Sequence, residues 1–217
     1  MTRVRIAQLS CGPEYSGVQK EIEEAAASVD AEIFFPDIKL ADIRKGFDEF
    51  GLDVAGKVAA DIGASTGGFT DCLLKRGASR VYAVDVGYGQ LDYRLQRDKR
   101  VVVMDRLNAR YPLSLPEKVD LATIDVSFIS VEKVIPSVAS LLKAGGYLLV
   151  LLKPQFEAKK PEVGKGGVIR EGQAQARVLG RFIGWMVGHG FRLGGLVASP
   201  ILGASGNKEF FILLLPK

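Results

Sequence analysis

The feature that most constrains this chain is the alternation of short apolar runs with helix-like stretches from Val58 onward. In order they read "KVAADI", "GGFTDCLLKRG", "RVYAVDV", "GQLDYRLQRD", "RVVVM", "VDLATIDV", "VEKVIPSVASLLKAGG" and "YLLVLLKP". Strands separated by helices of this length imply parallel strands joined by crossovers, hence an open sheet with helices on both faces. In such a sheet, ligands bind at the carboxyl ends of the strands. After a long polar loop and a helix around Gly172 to His189, "FRLGGLVAS" and "KEFFILLL" are separated only by "PILGASGN". That connection is too short for a helical crossover, so the sheet is predicted to end in an antiparallel hairpin.

The start of the chain has a different character. "VRIAQL" reads as a strand, "GVQKEIEEAAASV" as a helix and "AEIFF" as a strand ending at Pro36, a short β-α-β unit over residues 1–36. Ile38, Leu40, Ile43, Phe47 and Phe50 then recur at mixed helical spacings, which predicts an amphipathic helix opening the main domain, residues 37–217. A length of 217 residues with 47% hydrophobic side chains suffices for one α/β domain and a small addition, and a charged fraction of 25% with both signs is that of a folded, soluble chain. Nothing at the start reads as a signal peptide, and the apolar run Tyr147 to Leu152 is far below the roughly 18–20 residues that span a bilayer, so a cytoplasmic protein without a membrane partner is expected. Cys11 and Cys72 have no metal-ligand spacing and read as reduced thiols, Cys72 as a small buried residue. A net charge of +4 permits a polyanionic partner without requiring one.

The stretch "DIGASTGGFTDCLL", Asp61 to Leu74, joins the first strand of the main domain to a helix. A pyrophosphate-binding turn would read G-x-G-x-x-G, with the second glycine admitting the phosphates. Here Gly63, Ser65 and Gly68 hold those places, so the middle glycine is missing, and Asp61 stands two residues before the first. An acid there repels an anionic cofactor and attracts a cationic one. S-adenosyl-L-methionine, with its sulfonium and α-ammonium, meets that requirement. The turn Gly63, Ala64, Ser65, Gly67, Gly68 and Phe69 would lie against its amino-acid part. Asp85, ending the second strand before Val86, would accept from the two ribose hydroxyls. Asp105 and Asn108, in "MDRLNAR", are candidates for the adenine edge and equally readable as turn residues. The predicted fold is therefore a seven-stranded, Rossmann-like, S-adenosylmethionine-dependent methyltransferase domain, mostly parallel and ending in an antiparallel hairpin.

The acceptor is argued from the next two strands. Their ends, "DLATIDVSFIS" and "LLVLLKPQFE", bring Asp125 and Lys153 to the same rim, on strands about 4.8 Å apart if adjacent. An amine-modifying enzyme commonly has two prolines after the acid, where this chain has Val126 and Ser127. A ribose 2'-hydroxyl is a poor nucleophile and needs a base for its proton, and a lysine whose pKa is lowered from about 10.4 can serve. Lys153 as a plain strand-end surface lysine is the alternative.

Together with "VYAVDVGYGQL", "VGKGGVIR" and "SPILGASGNKEFF", these motifs resemble the TlyA group of the FtsJ-like RNA 2'-O-methyltransferases, whose members are often labelled haemolysin A. The resemblance runs from about Phe47 to Leu215. It implies transfer of methyl groups to ribose hydroxyls of RNA, ribosomal RNA or ribosomal subunits being the implied partner, and a catalytic set of lysine, aspartate, lysine and glutamate. The aspartate falls on Asp125, the second lysine on Lys153 and the glutamate on Glu209. The chain departs from the group in two places. Residues 1–36 show no likeness to the group's small N-terminal RNA-binding domain, and the position of the first lysine holds Asp42. Lys39, nearly one helical turn away and roughly 4.5 Å along the axis, is one substitute, Lys45 another, and a missing equivalent the third possibility. Between Lys153 and the last helix, Lys159, Lys160, Lys165 and Arg170 surround Gly166 and Gly167 in a loop suited to close over a substrate and contact phosphates, or to lie solvated on the surface. His189 reads as a helix-end residue, and Phe182 and Trp185 as core. Two other functions fit the same residues: a methyltransferase of this fold acting on a small molecule or protein, and a non-catalytic RNA-binding protein that keeps the cofactor pocket.

Overall fold

The computed structural model describes residues 4–7, 31–34, 43–169, 171–200, 202–203 and 206–217. Two short strands, β1 (Val4–Ala7) and β2 (Ala31–Phe34), pair in parallel, with Val4 opposite Ala31. The helix expected between them lies outside the described residues, as does Lys39. The helix leading into the main domain is α1, described over Ile43–Glu49, and the part expected over residues 37–42 lies outside the described residues.

The main sheet contains seven strands, β3 (Val58–Ile62), β4 (Arg80–Val84), β5 (Val101–Met104), β6 (Val119–Ile124), β7 (Leu142–Leu152), β8 (Phe191–Ala198) and β9 (Phe210–Pro216). Their spatial order is β5-β4-β3-β6-β7-β9-β8. The first five are parallel and β9 runs antiparallel to both neighbours. The predicted terminal hairpin is therefore present, but its second strand lies inside the sheet and β8 takes the outer place. Side-chain chemistry explains the exchange. Phe210 to Leu214 are all buried and need cover on both faces, whereas β8 carries an exposed Arg192 and an irregularity at Gly194.

Alternate residues of the central strands enter two cores. Ala59, Leu121, Leu149 and Phe211 point into one, Ala60, Ala122, Leu148 and Ile212 into the other. The first is covered by α1 and by α2, Gly68–Lys75, through the edge-on series Phe47, Phe69 and Phe211. Gly46 fits because a Cβ there would lie 2.9 Å from the Phe211 ring. The second core is covered by α4 (Ile135–Ala139) and α6 (Gly172–Gly188), which contribute Ile135, Val138, Phe182 and Met186. Short helices α3 (Tyr93–Gln96) and α5 (Pro154–Glu157) follow β4 and β7. Cys72 is buried within α2, and His189 caps α6, its Nδ1 2.7 Å from the Trp185 carbonyl.

After β3 the chain winds outward through β4 and β5, then returns to β6 on the other side of β3. This reversal opens a crevice at the carboxyl ends of β3 and β6, the place where open α/β sheets hold ligands.

Candidate active site

A cavity of about 600 Å³ fills that crevice. On the β3 side, Gly63 adopts φ +82°, and a Cβ there would fall 2.1 Å from the Asp125 carbonyl oxygen. Only a glycine lets the two strand ends approach this closely. The amides of Gly63 and Ala64 both donate to the Val84 carbonyl, and Ser65 is held at φ 47°. Gly67, at φ +101°, lies under Leu91 and Leu95, so its place in the motif answers to packing rather than to a ligand.

Of the residues singled out in the sequence, Gly63, Ser65, Asp85, Val86, Asn108 and Asp125 line the cavity. The Asp85 carboxylate is fixed by two backbone amides, Ser65 N–H to Oδ2 at 2.8 Å and Gly87 N–H to Oδ1 at 2.7 Å. Each oxygen keeps a further lone pair for a ligand hydroxyl. Asn108 lines the wall while its Oδ1 accepts from Arg110 N–H, and Asp105 accepts from Gly89 N–H outside the lining. Gln90, within "VYAVDVGYGQL", and Leu107, within "MDRLNAR", also line the cavity, and nothing in the sequence pattern marks either as a lining residue.

Asp61 is placed otherwise than its motif suggests. It is fully buried behind the turn, where its Oδ2 accepts from the Thr70 hydroxyl at 2.7 Å and its Oδ1 from the Thr123 hydroxyl at 2.9 Å. Burial pushes its pKa up to about 6, against the two threonine bonds. It does not line the cavity, and any influence on a cation there acts through the turn.

On the β6 side, Asp125 N–H donates to the Ile62 carbonyl, and the pairing of β6 with β7 carries Lys153 to the same rim. The Lys153 ammonium lies 2.8 Å from Asp125 Oδ1 and donates to Ser127 Oγ at 3.1 Å. The contact with Asp125 is charge to charge, since Oδ1 is buried without an aligned donor, and the well-directed N–H goes to Ser127. Glu209 precedes β9 and is 7% exposed. Burial raises its pKa, Lys153 opposes the rise, Asp125 adds to it, and the nearby Gln155 amide counters it. Gly203 packs directly over this carboxylate, a Cβ there falling 2.0 Å from Oε1. Asp125, Lys153 and Glu209, on three strand ends, thus form one cluster. Lys45 lies on α1. Phe128, 92% exposed at φ 64°, stands at the cavity mouth with its ring 5.2 Å from Phe156. Ser127, Phe128 and Gln155 stand in the quoted motifs, but nothing in the sequence pattern distinguishes them there.

The FtsJ-like methyltransferase family profile matches residues 38–215. The chain belongs to the FtsJ-like methyltransferase family. It is 44% identical over 169 residues to the 16S/23S rRNA (cytidine-2'-O)-methyltransferase TlyA of Mycobacterium tuberculosis, covering 77% of this chain and 63% of that one. A crystal structure of a hemolysin-labelled protein from Lactococcus lactis superposes with a TM-score of 0.78 at 40% identity, covering 81% and 85% of the two chains. An S-adenosylmethionine-dependent methyltransferase from Mesorhizobium loti, at 15% identity and TM-score 0.59 over 80% and 96% of the chains, shares the fold alone. Against three curated relatives, this FtsJ-like chain spans 62%, 71% and 63% of their lengths.

Proposed function

We propose that the protein is an S-adenosylmethionine-dependent 2'-O-methyltransferase acting on ribose in RNA, with ribosomal RNA as its substrate. The observation that carries this reading is the Lys153 ammonium held between Asp125 and Ser127 at the rim of the cavity, with Glu209 beside it. A nucleobase amine has no use for such a lysine, whereas a hydroxyl must lose a proton.

The cavity suits the cofactor. Its volume, the side-chain-free approach at Gly63 and the bidentate-ready Asp85 fit a nucleoside with an amino-acid tail. Asp85 would hold the ribose hydroxyls, Gly63 and Ser65 the amino-acid part, and Asn108 with Leu107 the base. When bound, S-adenosylmethionine supplies an electrophilic methyl group on a sulfonium. In its amine form Lys153 accepts the proton of the 2'-hydroxyl on Nζ, and the carboxylates of Asp125 and Glu209 balance the positive charge that this creates. Holding these groups in advance supplies orientation and electrostatic stabilisation. Phe128, presented to solvent at the mouth, offers a face on which a base stacks. The reading places the protein in the cytoplasm with ribosomal subunits as its partner, and makes residues 1–36 an N-terminal extension of the methyltransferase domain of residues 37–217. In the catalytic set the first lysine's work falls to Lys39, to Lys45 or to no equivalent.

Incubation with methyl-labelled cofactor and either ribosomal RNA or RNA-free extract tests the reading. Label is expected on ribose 2'-oxygens, and Lys153→Ala is expected to abolish transfer while leaving cofactor affinity within about twofold. Label on a protein or small molecule, or undiminished transfer by Lys153→Ala, would overturn it.

A further inference from the structure

Lys153 has two oxygen neighbours and uses them in the reverse of the expected order. Its ammonium lies 2.8 Å from Asp125 Oδ1, yet that oxygen is buried and has no aligned hydrogen-bond donor among the described residues. The aligned bond goes instead to the neutral Ser127 Oγ, at 3.1 Å. A charged acceptor binds an N–H roughly twice as strongly as a neutral one, and a buried oxygen without a donor is unfavourable. An ammonium free to choose would therefore turn onto Asp125.

What opposes that turn is the placement of Ser127. The loop that carries it is fastened at both ends without help from the lysine. At one end Asp125 N–H donates to the Ile62 carbonyl, and at the other Glu157 Oε1 accepts from Val131 N–H at 2.8 Å. Between them Phe128 takes a left-handed turn at φ 64° and sets its ring centre 5.2 Å from that of Phe156. Phe156 and Glu157 belong to α5, which starts at the residue after Lys153, so the Ser127 hydroxyl and the lysine are held in one frame. A proline at position 127, as amine-modifying enzymes commonly have there, would offer the lysine no side-chain oxygen.

We propose that Ser127 is a positioning residue that draws the Lys153 nitrogen out of alignment with Asp125 and so leaves it able to act as the base, an inference that rests on the reading of Lys153 given above. The bond suits that work because it survives the change of charge: ammonium and amine both keep an N–H for Oγ. Ser127 takes up no proton itself. With one N–H committed to Ser127, the lone pair of the amine is confined to the remaining tetrahedral positions, which fixes its direction relative to the cavity that Ser127 lines. A lysine aligned on Asp125 would instead be kept as an ammonium, since a hydrogen bond to a carboxylate favours the charged form. The charged groups facing Lys153 are Asp125 from the end of β6 and Glu209 from the loop before β9.

The test compares Ser127→Ala, which removes the hydroxyl, with Ser127→Thr, which keeps it. Methyl transfer to ribosomal RNA is measured from about pH 6 to 9, with KM for the RNA and cofactor affinity alongside. Ser127→Ala is expected to lower kcat about tenfold at pH 7 and to move the acid limb of the profile to higher pH, with KM and cofactor affinity within about twofold. Ser127→Thr should restore kcat to within about threefold and return the limb to its place. A second readout needs no RNA: in protein labelled with 13C-lysine, the Lys153 Cε resonance follows the ammonium directly. Its titration midpoint should move up by about 0.5 pH unit or more in Ser127→Ala and stay put in Ser127→Thr. A midpoint that stays or falls in Ser127→Ala, or a rate that Ser127→Thr fails to restore, overturns this inference alone. A wild-type protein that methylates no ribose hydroxyl overturns the reading beneath it, whatever the midpoint does.

Discussion

Asp61 has the same identity as the acid expected at a methyl-donor turn, yet its burial behind the turn gives it two opposed effects. Its pKa of about 6, against an ordinary 3.8, means that the folded protein holds this proton more tightly than the unfolded chain does. Between those values the folded state binds the extra proton, so Asp61 lowers stability as the pH rises from about 4 to 6, and the loss persists above. The shift corresponds to a loss on the order of 3 kcal/mol. Asp61→Asn is therefore expected to remove that slope in urea unfolding between pH 4.5 and 7.5. It should leave the variant at least as stable as the parent at pH 7.5 while weakening cofactor binding several-fold, since the negative charge behind the turn is lost. Gly63→Ala should fail in both respects: the φ is unfavourable to a side chain and the Cβ meets a backbone oxygen that cannot move without displacing Asp125. A fall of several degrees in Tm and loss of measurable cofactor binding by calorimetry are the expected outcomes. The sequence singled out Asp61 but neither of its partners, although Thr70 lies only nine residues on in the same motif. Thr123 was out of reach of any local pattern, because it is 62 residues away and meets Asp61 only through the pairing of β3 with β6.

Elements were legible where a period or a loop length constrained them. The alternation of runs disclosed β3 to β7 because a parallel strand needs a crossover, and "PILGASGN" disclosed the hairpin because eight residues cannot hold one. The insertion of β9 between β7 and β8 was not legible, since local pairing of β8 with β9 is the same whichever of them meets β7. The loop after Lys153 was legible as glycine-rich and basic, but its anchors were not. Glu162 accepts two bonds from the Arg181 guanidinium on α6, at 2.9 and 2.7 Å, and one from Lys159 N–H. The Arg181 bonds hold its pKa down at about 2. Farther along, Asn207 accepts from Ile169 N–H and donates to the Gly167 carbonyl, joining this loop to the one before Glu209. These anchors bracket a stretch that contains Gly166 at φ 79°. Glu162→Ala should release one end. Because the pair is partly exposed, about 1 kcal/mol or less is expected, seen as a Tm decrease of roughly 2–4 °C. Limited proteolysis should cut within residues 158–171 several times faster, and cofactor affinity should not change.

At the scale of the whole molecule, the question is how a chain with a net charge of only +4 would hold RNA. The basic run from Tyr93 to Arg110 suggests a strong electrostatic footprint, yet much of it is answered within the protein. Arg94 pairs with Asp92 and Arg100 with Asp98, while elsewhere Arg76 pairs with Asp48 and Arg80 with Glu117. Arg106 lies over the ring of the exposed Tyr88, 4.4 Å from its centre, beside the cavity wall at Leu107 and Asn108. Affinity built this way draws on stacking at Phe128 and Tyr88 as much as on phosphate neutralisation. With about three or four phosphates neutralised, log K against log salt should slope between roughly −2 and −3, a loss of about 20- to 60-fold from 50 to 200 mM salt. Phe128→Ala should lower affinity by the same factor at every salt concentration, about 5- to 100-fold, because stacking is not screened. Plotted together, parent and variant should give parallel lines. A slope near −6, or lines that converge at high salt, would mean that phosphates rather than bases hold the RNA and that Phe128 acts only through its neighbours.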